Sequence, residues 1–250
     1  MKKLLIRIKF LKNRFKTVRG EMRALFYIAV TWVVAYEFYL VNIPEWFPKA
    51  SVLGTIADKI CFAYITGLIF FFVNVHLSGY IHKVKMYRYV KNKTALIRRG
   101  SISLMLTIKK ANKLDITDNS IPSKDKMTEL CQKVDPRKPL NSVGFLEVPF
   151  DNWFNYIDFI NSETKLLIKD LLFIRDVLDS DTLRFLTDIE ECLERHVNIT
   201  KGASVGNISL EYWAEGIHTY IELCQNLVKH FDKNSKEYAE EYHYIEGQKS

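Results

Sequence analysis

The chain has 250 residues, which leaves room for a membrane-embedded unit and one soluble domain of ordinary size. Its net charge of +7 is the sum of two unlike halves. Residues 1–114 contain 21 Lys and Arg against four acidic residues, a net +17, whereas residues 115–250 carry a net −10. Because the basic residues flank apolar segments, we expect them to serve a membrane, and we expect no direct nucleic-acid binding. The four cysteines are scattered and form no C-x-x-C pair, so free thiols are predicted rather than a disulfide framework.

Residues 1–23 combine a basic composition with one apolar helical face. Apolar residues recur at helical spacing from Leu4 to Val18, and the remaining positions hold the cations Lys2, Lys3, Arg7, Lys9, Lys12, Arg14, Lys16 and Arg19. Such an amphipathic segment can lie along the inner leaflet with its cations on anionic lipid head groups. Alternatively, the cations serve only to fix the topology, and the sequence leaves both interpretations open.

Two apolar segments, residues 24–43 and 60–77, have the length and composition of transmembrane helices. About 20 helical residues cover the roughly 30 Å hydrocarbon layer of a bilayer. In the first segment, ten strong hydrophobes at roughly −0.3 to −0.6 kcal/mol each outweigh the roughly +2.5 to +3.5 kcal/mol of Glu37, and the second segment contains no charge. The flanking basic residues disfavour the alternative of core helices in a soluble protein. A cleaved signal peptide is also disfavoured, because no small-x-small site follows the first segment.

The distribution of basic residues predicts the topology. Nine Lys and Arg precede the first segment, seven lie within residues 83–99 after the second, and residues 44–51 contain only Lys49. By the positive-inside rule, both termini are cytoplasmic and the external tip within residues 44–59 faces outward. We therefore predict a two-span membrane hairpin, and we expect three further cations at the membrane surface: Lys83, Lys85 and Arg88.

Polar and small residues of the hairpin predict an oligomer face. Glu37 lies near the end of the first span, and Asp58 and Lys59 lie at the entrance of the second, which is a similar depth in an antiparallel hairpin. Intramembrane charges rarely face lipid, so we expect Glu37 to face Lys59, a neighbouring protomer or water. The alternative is that head groups wet all three charges. Ala63 and Gly67, four residues apart, provide a small-residue face that permits close approach of another helix.

The remaining chain predicts a cytoplasmic helical part, so the whole fold class is all-α. Residues 78–114 have helical spacing and predict a basic stalk helix. Residues 115–150 hold four of the six prolines and predict a connector with one short helix near 124–134. Residues 151–250 predict an acidic helical bundle whose helices begin at polar caps: Ser162, Ser180 or Asp181, and Ser209.

Candidate reactive residues in the acidic domain do not complete a recognised site. Glu215-x-x-His218, with Glu222 one turn on, has the spacing of a di-iron ligand pair, but such a site needs a second such pair and two further carboxylates from other helices, and a solvated helix face is the interpretation we favour. Cys192 and His196 lie four residues apart and would supply only two ligands to a metal. We therefore predict no catalytic residue, metal site or cofactor, and no enzymatic activity.

The hairpin region resembles a group of small bacterial two-helix membrane proteins through the stretches Ile43-Pro-Glu-Trp-Phe-Pro-Lys-Ala, Leu53-Gly54, Ala63-Tyr64-Ile65 and Phe70-Phe-Phe-Val-Asn-Val-His76. Some of that group are similar to transmembrane effectors of antiphage systems, including those paired with retrons. The resemblance implies an inner-membrane effector that permeabilises the membrane, in abortive infection, once it is released from a cytoplasmic protein or ribonucleoprotein partner encoded nearby. The competing hypothesis is a membrane-anchored adaptor or sensor whose cytoplasmic helices recruit another protein.

Overall fold

A computed structural model describes residues 11–44, 47–144, 148–195, 208–236, 238, 239 and 242. These described residues confirm the all-helical prediction, with seven α-helices from Gly20 onward and no strand beyond an isolated bridge between Leu140 and Phe150. The chain divides into two compact units, Met1–Lys83 and Val84–Ser250.

The first unit contains α1 (Gly20–Phe38), α2 (Ala50–Phe71) and the start of α3 (Ser78–Ala111). Helix α1 begins and ends earlier than the predicted span of residues 24–43. A single 3₁₀ turn follows it, and Ile43 then takes the extended conformation at φ −90° and ψ 134°. The cause is Pro44, because proline disfavours the helical conformation at the residue before it.

Helix α2 begins ten residues before the predicted second span of residues 60–77. Residues 50–59 contain no proline. The helix starts directly after Pro48 and Lys49, and Lys49 has a φ of +72°. Asp58 and Lys59 therefore lie inside the helix and not at its entrance. Hydropathy alone indicated the more apolar part of the helix, but backbone hydrogen bonding continues through any residue type except proline.

The second unit contains the rest of α3, α4 (Lys124–Gln132), α5 (Trp153–Phe173), α6 (Ser180–Arg195) and α7 (Ala214–Asn234). The residues predicted as a stalk, 78–114, form a helix as far as Ala111, but from Val84 onward they belong to this unit. Ile97, Leu104 and Ile108 of α3 are fully buried in its hydrophobic core. An apolar or small residue at every third or fourth position of α3 gives it a face that packs along its length.

The helix caps confirm some predicted starts and correct another. Helix α6 begins at Ser180 as predicted, because the Asp179 carboxylate accepts a hydrogen bond from the Thr182 backbone N–H at 2.9 Å. The prediction that Ser162 caps a helix was wrong. Helix α5 starts at Trp153, where the Asn152 side chain accepts a hydrogen bond from the Asn155 N–H at 2.9 Å.

The predicted connector, residues 115–150, is held to the second unit by buried polar groups. The Nζ of Lys109, which is 5 % exposed, donates hydrogen bonds to the carbonyls of Asp118 at 2.7 Å and Ser120 at 2.9 Å. The Gly144 N–H donates to the Thr107 hydroxyl at 2.8 Å. Because an unpaired buried lysine is costly, these contacts hold residues 118–120 in place.

Helix α3 ends with a lysine in the left-handed conformation. Lys113 has φ +57°, and the Leu114 N–H reaches the Lys109 carbonyl at 3.0 Å, which is the Schellman geometry that favours glycine. We expect Lys113→Gly to stabilise the second unit by about 0.5–1 kcal/mol. Ala95→Gly, on the exposed face of the same helix, should instead destabilise it by about 1 kcal/mol. Urea denaturation of the full chain in detergent measures both changes, and equal losses of stability would contradict the strain at Lys113.

Candidate functional site

Helices α1 and α2 form an antiparallel pair held by two tyrosines. The Tyr36 hydroxyl, near the end of α1, lies 3.0 Å from the Thr55 hydroxyl and 3.4 Å from the Ser51 carbonyl near the start of α2. At the opposite end, the Tyr64 hydroxyl donates to the Met22 carbonyl at 2.9 Å.

Gly54 is required for the close contact between the two helices. A Cβ atom at Gly54 would lie 2.5 Å from a ring carbon of Tyr36, which is closer than any stable contact. The Tyr36 ring also lies nearly parallel to the Trp32 ring, with 6.5 Å between their centroids. Gly67, by contrast, meets nothing within 4 Å at its Cβ position and therefore points away from α1.

The outer surface of the pair is strongly apolar. Ile28 is 64 % exposed, Ile60 64 % and Phe70 67 %. By length and composition, the continuous helical run Ala50–Ala111 is apolar enough to cross a membrane, and only 11 % of its most apolar window is buried. Helix α1 is not identified as a candidate span among the described residues. Its 19 residues include three charged side chains, Glu21, Arg23 and Glu37, and a candidate span holds at most two in 18 residues.

Asp58 is the predicted site residue with the most unusual environment. Its side chain is 8 % exposed, and its Oδ1 has no hydrogen-bond partner among the described residues. The tyrosine contacts set the register of α1 against α2 and place Asp58 near the middle of the pair, level with the buried Ala29. A buried carboxyl oxygen without a hydrogen-bond partner costs free energy, so Asp58 is a candidate for a role other than packing.

The other predicted residues of this face lie outside the α1–α2 contact. Glu37 and Lys59 are exposed and form no ion pair with each other, because Glu37 lies level with the start of α2 and Lys59 lies about two turns further on. Lys59, Ala63 and Gly67 follow each other at four-residue spacing along the open side of α2, and all three are exposed. The coupling between Glu37 and Lys59 of neighbouring protomers stays a prediction.

The basic N-terminal segment packs against the base of this helix pair. Phe15 contacts Phe26 and Phe72, each with ring centroids 5.5 Å apart, and Val18 is 4 % exposed. The Thr17 hydroxyl lies 2.8 Å from His76 Nε2 within a π-helical turn. The apolar face that one of the two open interpretations places on lipid therefore packs, at residues 15 and 18, on the protein itself.

The basic residues predicted at the membrane surface have different surroundings. The Arg14 guanidinium stacks on the Tyr80 ring at 4.0 Å, and Lys83 is half-buried. Five of the others are exposed: Lys12, Lys16, Arg19, Lys85 and Arg88. The remaining four lie outside the described residues: Lys2, Lys3, Arg7 and Lys9.

The candidate reactive groups of the second unit have structural roles. His218 Nε2 lies 3.1 Å from the Pro122 carbonyl, and Glu215 forms an ion pair with Lys124, so the E-x-x-H spacing ties α7 to the segment that leads into α4. Burial raises the pKa of Cys131 to about 12 and that of Cys192 to about 11, which keeps both thiols protonated and unreactive at neutral pH. His196 lies outside the described residues.

Three features of the described residues were missed by the sequence analysis. An apolar groove of about 590 Å³ lies at the tip of the α1–α2 pair, lined by Trp32, Tyr36 and Phe47 among others. A cavity of about 360 Å³ in the second unit is lined partly by Lys110, Lys133 and Lys138. Asp179, Asp181 and His230 also lie within metal-ligating distance of one another, although Asp179 already caps α6.

None of the three features has a local sequence signature, because each joins residues that are distant in the chain. The comparisons with known proteins add no assignment: no protein-family model, curated protein or solved structure matches the chain.

Proposed function

We propose that the protein is a bacterial inner-membrane effector of an antiphage, abortive-infection system that permeabilises the membrane when a cytoplasmic partner releases it. The observation that carries the proposal is the apolar outer surface of the α1–α2 pair, on which Ile28, Ile60 and Phe70 are each more than 60 % exposed; in the helical run Ala50–Ala111, only 11 % of the most apolar window is buried. Monomeric soluble proteins rarely expose a contiguous apolar surface of this kind, and lipid covers it without further contacts.

In the proposed arrangement, α1 and α2 are two spans with both termini in the cytoplasm. The basic residues before α1 and after α2, against the single Lys49 between the helices, support this orientation. A reporter fused after Ser250 should be active on the cytoplasmic side, and one inserted at residues 47–51 should be active outside. A periplasmic signal from the C-terminal fusion would contradict the arrangement.

Permeabilisation requires several copies, because two helices cannot enclose a pore. The open side of α2 offers Ala63 and Gly67 for close approach of a neighbouring helix, and Lys59 lies on the same side. In an assembly that presents Lys59 to water, its charge no longer faces lipid. The homo-oligomer and its polar lining follow from this step, and the interaction with anionic lipid rests separately on the basic residues before α1 and after α2.

A membrane-anchored adaptor is the second candidate function. The observation that favours it is that the described residues of Val84–Ser250 form a compact unit with its own hydrophobic core and an exposed apolar surface. An adaptor needs the anchor and the cytoplasmic unit, but it does not need the open side of α2.

Expression without its genetic neighbours separates the two candidates. An effector should depolarise the cells within minutes, measured with a potential-sensitive dye. Gly67→Leu should blunt the effect by filling the open side of α2, whereas Ile60→Leu, which keeps an exposed aliphatic side chain, should not. Normal potential and growth, with the protein shown to be in the membrane fraction, would favour the adaptor.

A further inference from the structure

The second unit exposes a line of large apolar side chains where α3 and α5 lie side by side. We call this surface the α3–α5 ridge, and its exposed side chains are Tyr89 (38 %), Leu96 (45 %), Phe159 (48 %), Leu166 (55 %) and Phe173 (91 %). The residues of each helix recur at intervals of seven. Seven residues rotate the helix by about 700°, which is about 20° short of two full turns, so these side chains share one face. Scattered exposed apolar residues are ordinary, but a repeat of this kind on two adjacent helices is not.

Cross-helix contacts fix the register of the ridge. Lys93 Nζ pairs with Asp170 Oδ2 at 2.6 Å, and the Ser103 hydroxyl lies 3.0 Å from the Tyr156 hydroxyl. These two contacts make α3 and α5 antiparallel and place Leu96 level with Leu166, and Tyr89 level with Phe173. Successive levels are about 10 Å apart along the helices, which is the heptad spacing of a helix that packs alongside.

Charge around the ridge is predominantly basic. Helix α3 contains no Asp or Glu, and Lys85 and Arg99 are exposed along its outer edge. On α5, Asp170 is engaged by Lys93, which leaves Glu163 as an acidic side chain on this face. The outer edge of α5 carries both Asp158 and Lys169 and is close to neutral.

We propose that the α3–α5 ridge docks an acidic amphipathic helix of a partner protein, whose apolar side chains repeat by heptads and whose carboxylates face the α3 edge. A second copy of this chain fits less well, because its ridge would bring another basic α3 edge into the contact. The proposal extends the partner control in the proposed function by giving the partner's chemistry and its place of binding.

A designed peptide tests the docking without knowledge of the partner. The probe is a labelled helical peptide of about three heptads with Leu at the a and d positions and Glu at the e and g positions. Binding to the full chain in nanodiscs is followed by fluorescence anisotropy. We expect the double variant Leu166→Ser with Phe173→Ser to weaken binding at least tenfold. The control is Tyr212→Ser. Tyr212 lies outside the ridge and is 80 % exposed, so its replacement should leave binding unchanged.

The charge requirement is tested separately. Arg99→Glu should weaken binding several-fold at low ionic strength and less at high salt, because exposed charges are screened. A peptide with Lys in place of Glu should bind at least tenfold more weakly. Equal binding of both peptides, or equal binding to the wild type and the ridge variant, would overturn the proposal.

An environment-sensitive dye at Leu166→Cys, in a Cys61→Ser background, distinguishes the occupants. A spectral shift on adding the acidic peptide supports the proposal. A shift that needs only anionic lipid in the nanodisc, or only a higher concentration of the chain, would overturn it in favour of a membrane surface or a second copy. Because these measurements do not involve membrane potential, their failure is distinct from a failure of the depolarisation experiment.

Discussion

Gly54→Ala should destabilise the α1–α2 pair, whereas Gly67→Ala should stabilise it. Both substitutions gain up to about 1 kcal/mol of intrinsic helix stability, because glycine is a poor helix former. At position 67 the new methyl group meets open space. At position 54 it lies 2.5 Å from the Tyr36 ring, which must move and lose its hydrogen bonds to Thr55 and Ser51. We expect a net loss of about 1–3 kcal/mol for Gly54→Ala.

Thermal unfolding of the full chain in detergent, followed by circular dichroism, measures the two variants side by side. Tyr36→Phe with Gly54→Ala provides the control. Phenylalanine cannot form the hydroxyl hydrogen bonds of Tyr36, so moving its ring breaks no hydrogen bond. The loss of stability caused by Gly54→Ala should therefore be smaller in this background. Equal and positive effects at both glycines would mean that α1 and α2 do not pack as described.

Asp58→Leu should raise the stability of the same helix pair by about 1–3 kcal/mol. The side chain is 8 % exposed and its Oδ1 has no partner among the described residues, so a leucine removes the cost of burying that group. Lys59→Met, at the exposed neighbouring position, should change stability by less than about 0.5 kcal/mol. A less stable Asp58→Leu protein would show that the carboxylate has a partner in the assembled state.

The same variant carries a functional expectation. If the proposed effector function is right, Asp58 is retained for use in the permeabilising state, and Asp58→Leu should abolish depolarisation while the protein accumulates normally in the membrane. An adaptor would tolerate the substitution. We expect the Asp58→Leu protein to be more stable and to cause no depolarisation. Full depolarisation by a more stable variant would show that Asp58 has no part in the mechanism.

Local signals were enough for much of the secondary structure. The helix start at Ser180, the short helix from Lys124 and the helix over most of residues 78–114 were each confirmed. These features depend on residues within one or two turns of each other, where capping, proline and apolar periodicity act directly. Ser162 was wrongly predicted as a cap, because a serine inside a helix and a serine at its start can have similar neighbours in the sequence; the cap of this helix is Asn152.

What the sequence by itself determined is the all-helical class, the apolar hairpin segments and the asymmetric distribution of basic residues. Only the tertiary structure decided that Asp58 is buried while Lys59 is exposed, that Gly54 faces α1 while Gly67 does not, and that α3 belongs to the core of the second unit. Neighbouring residues on a helix point about 100° apart, so their roles depend on which face meets another helix. That choice is made by packing between residues distant in the chain, and the pattern of any one segment does not contain it.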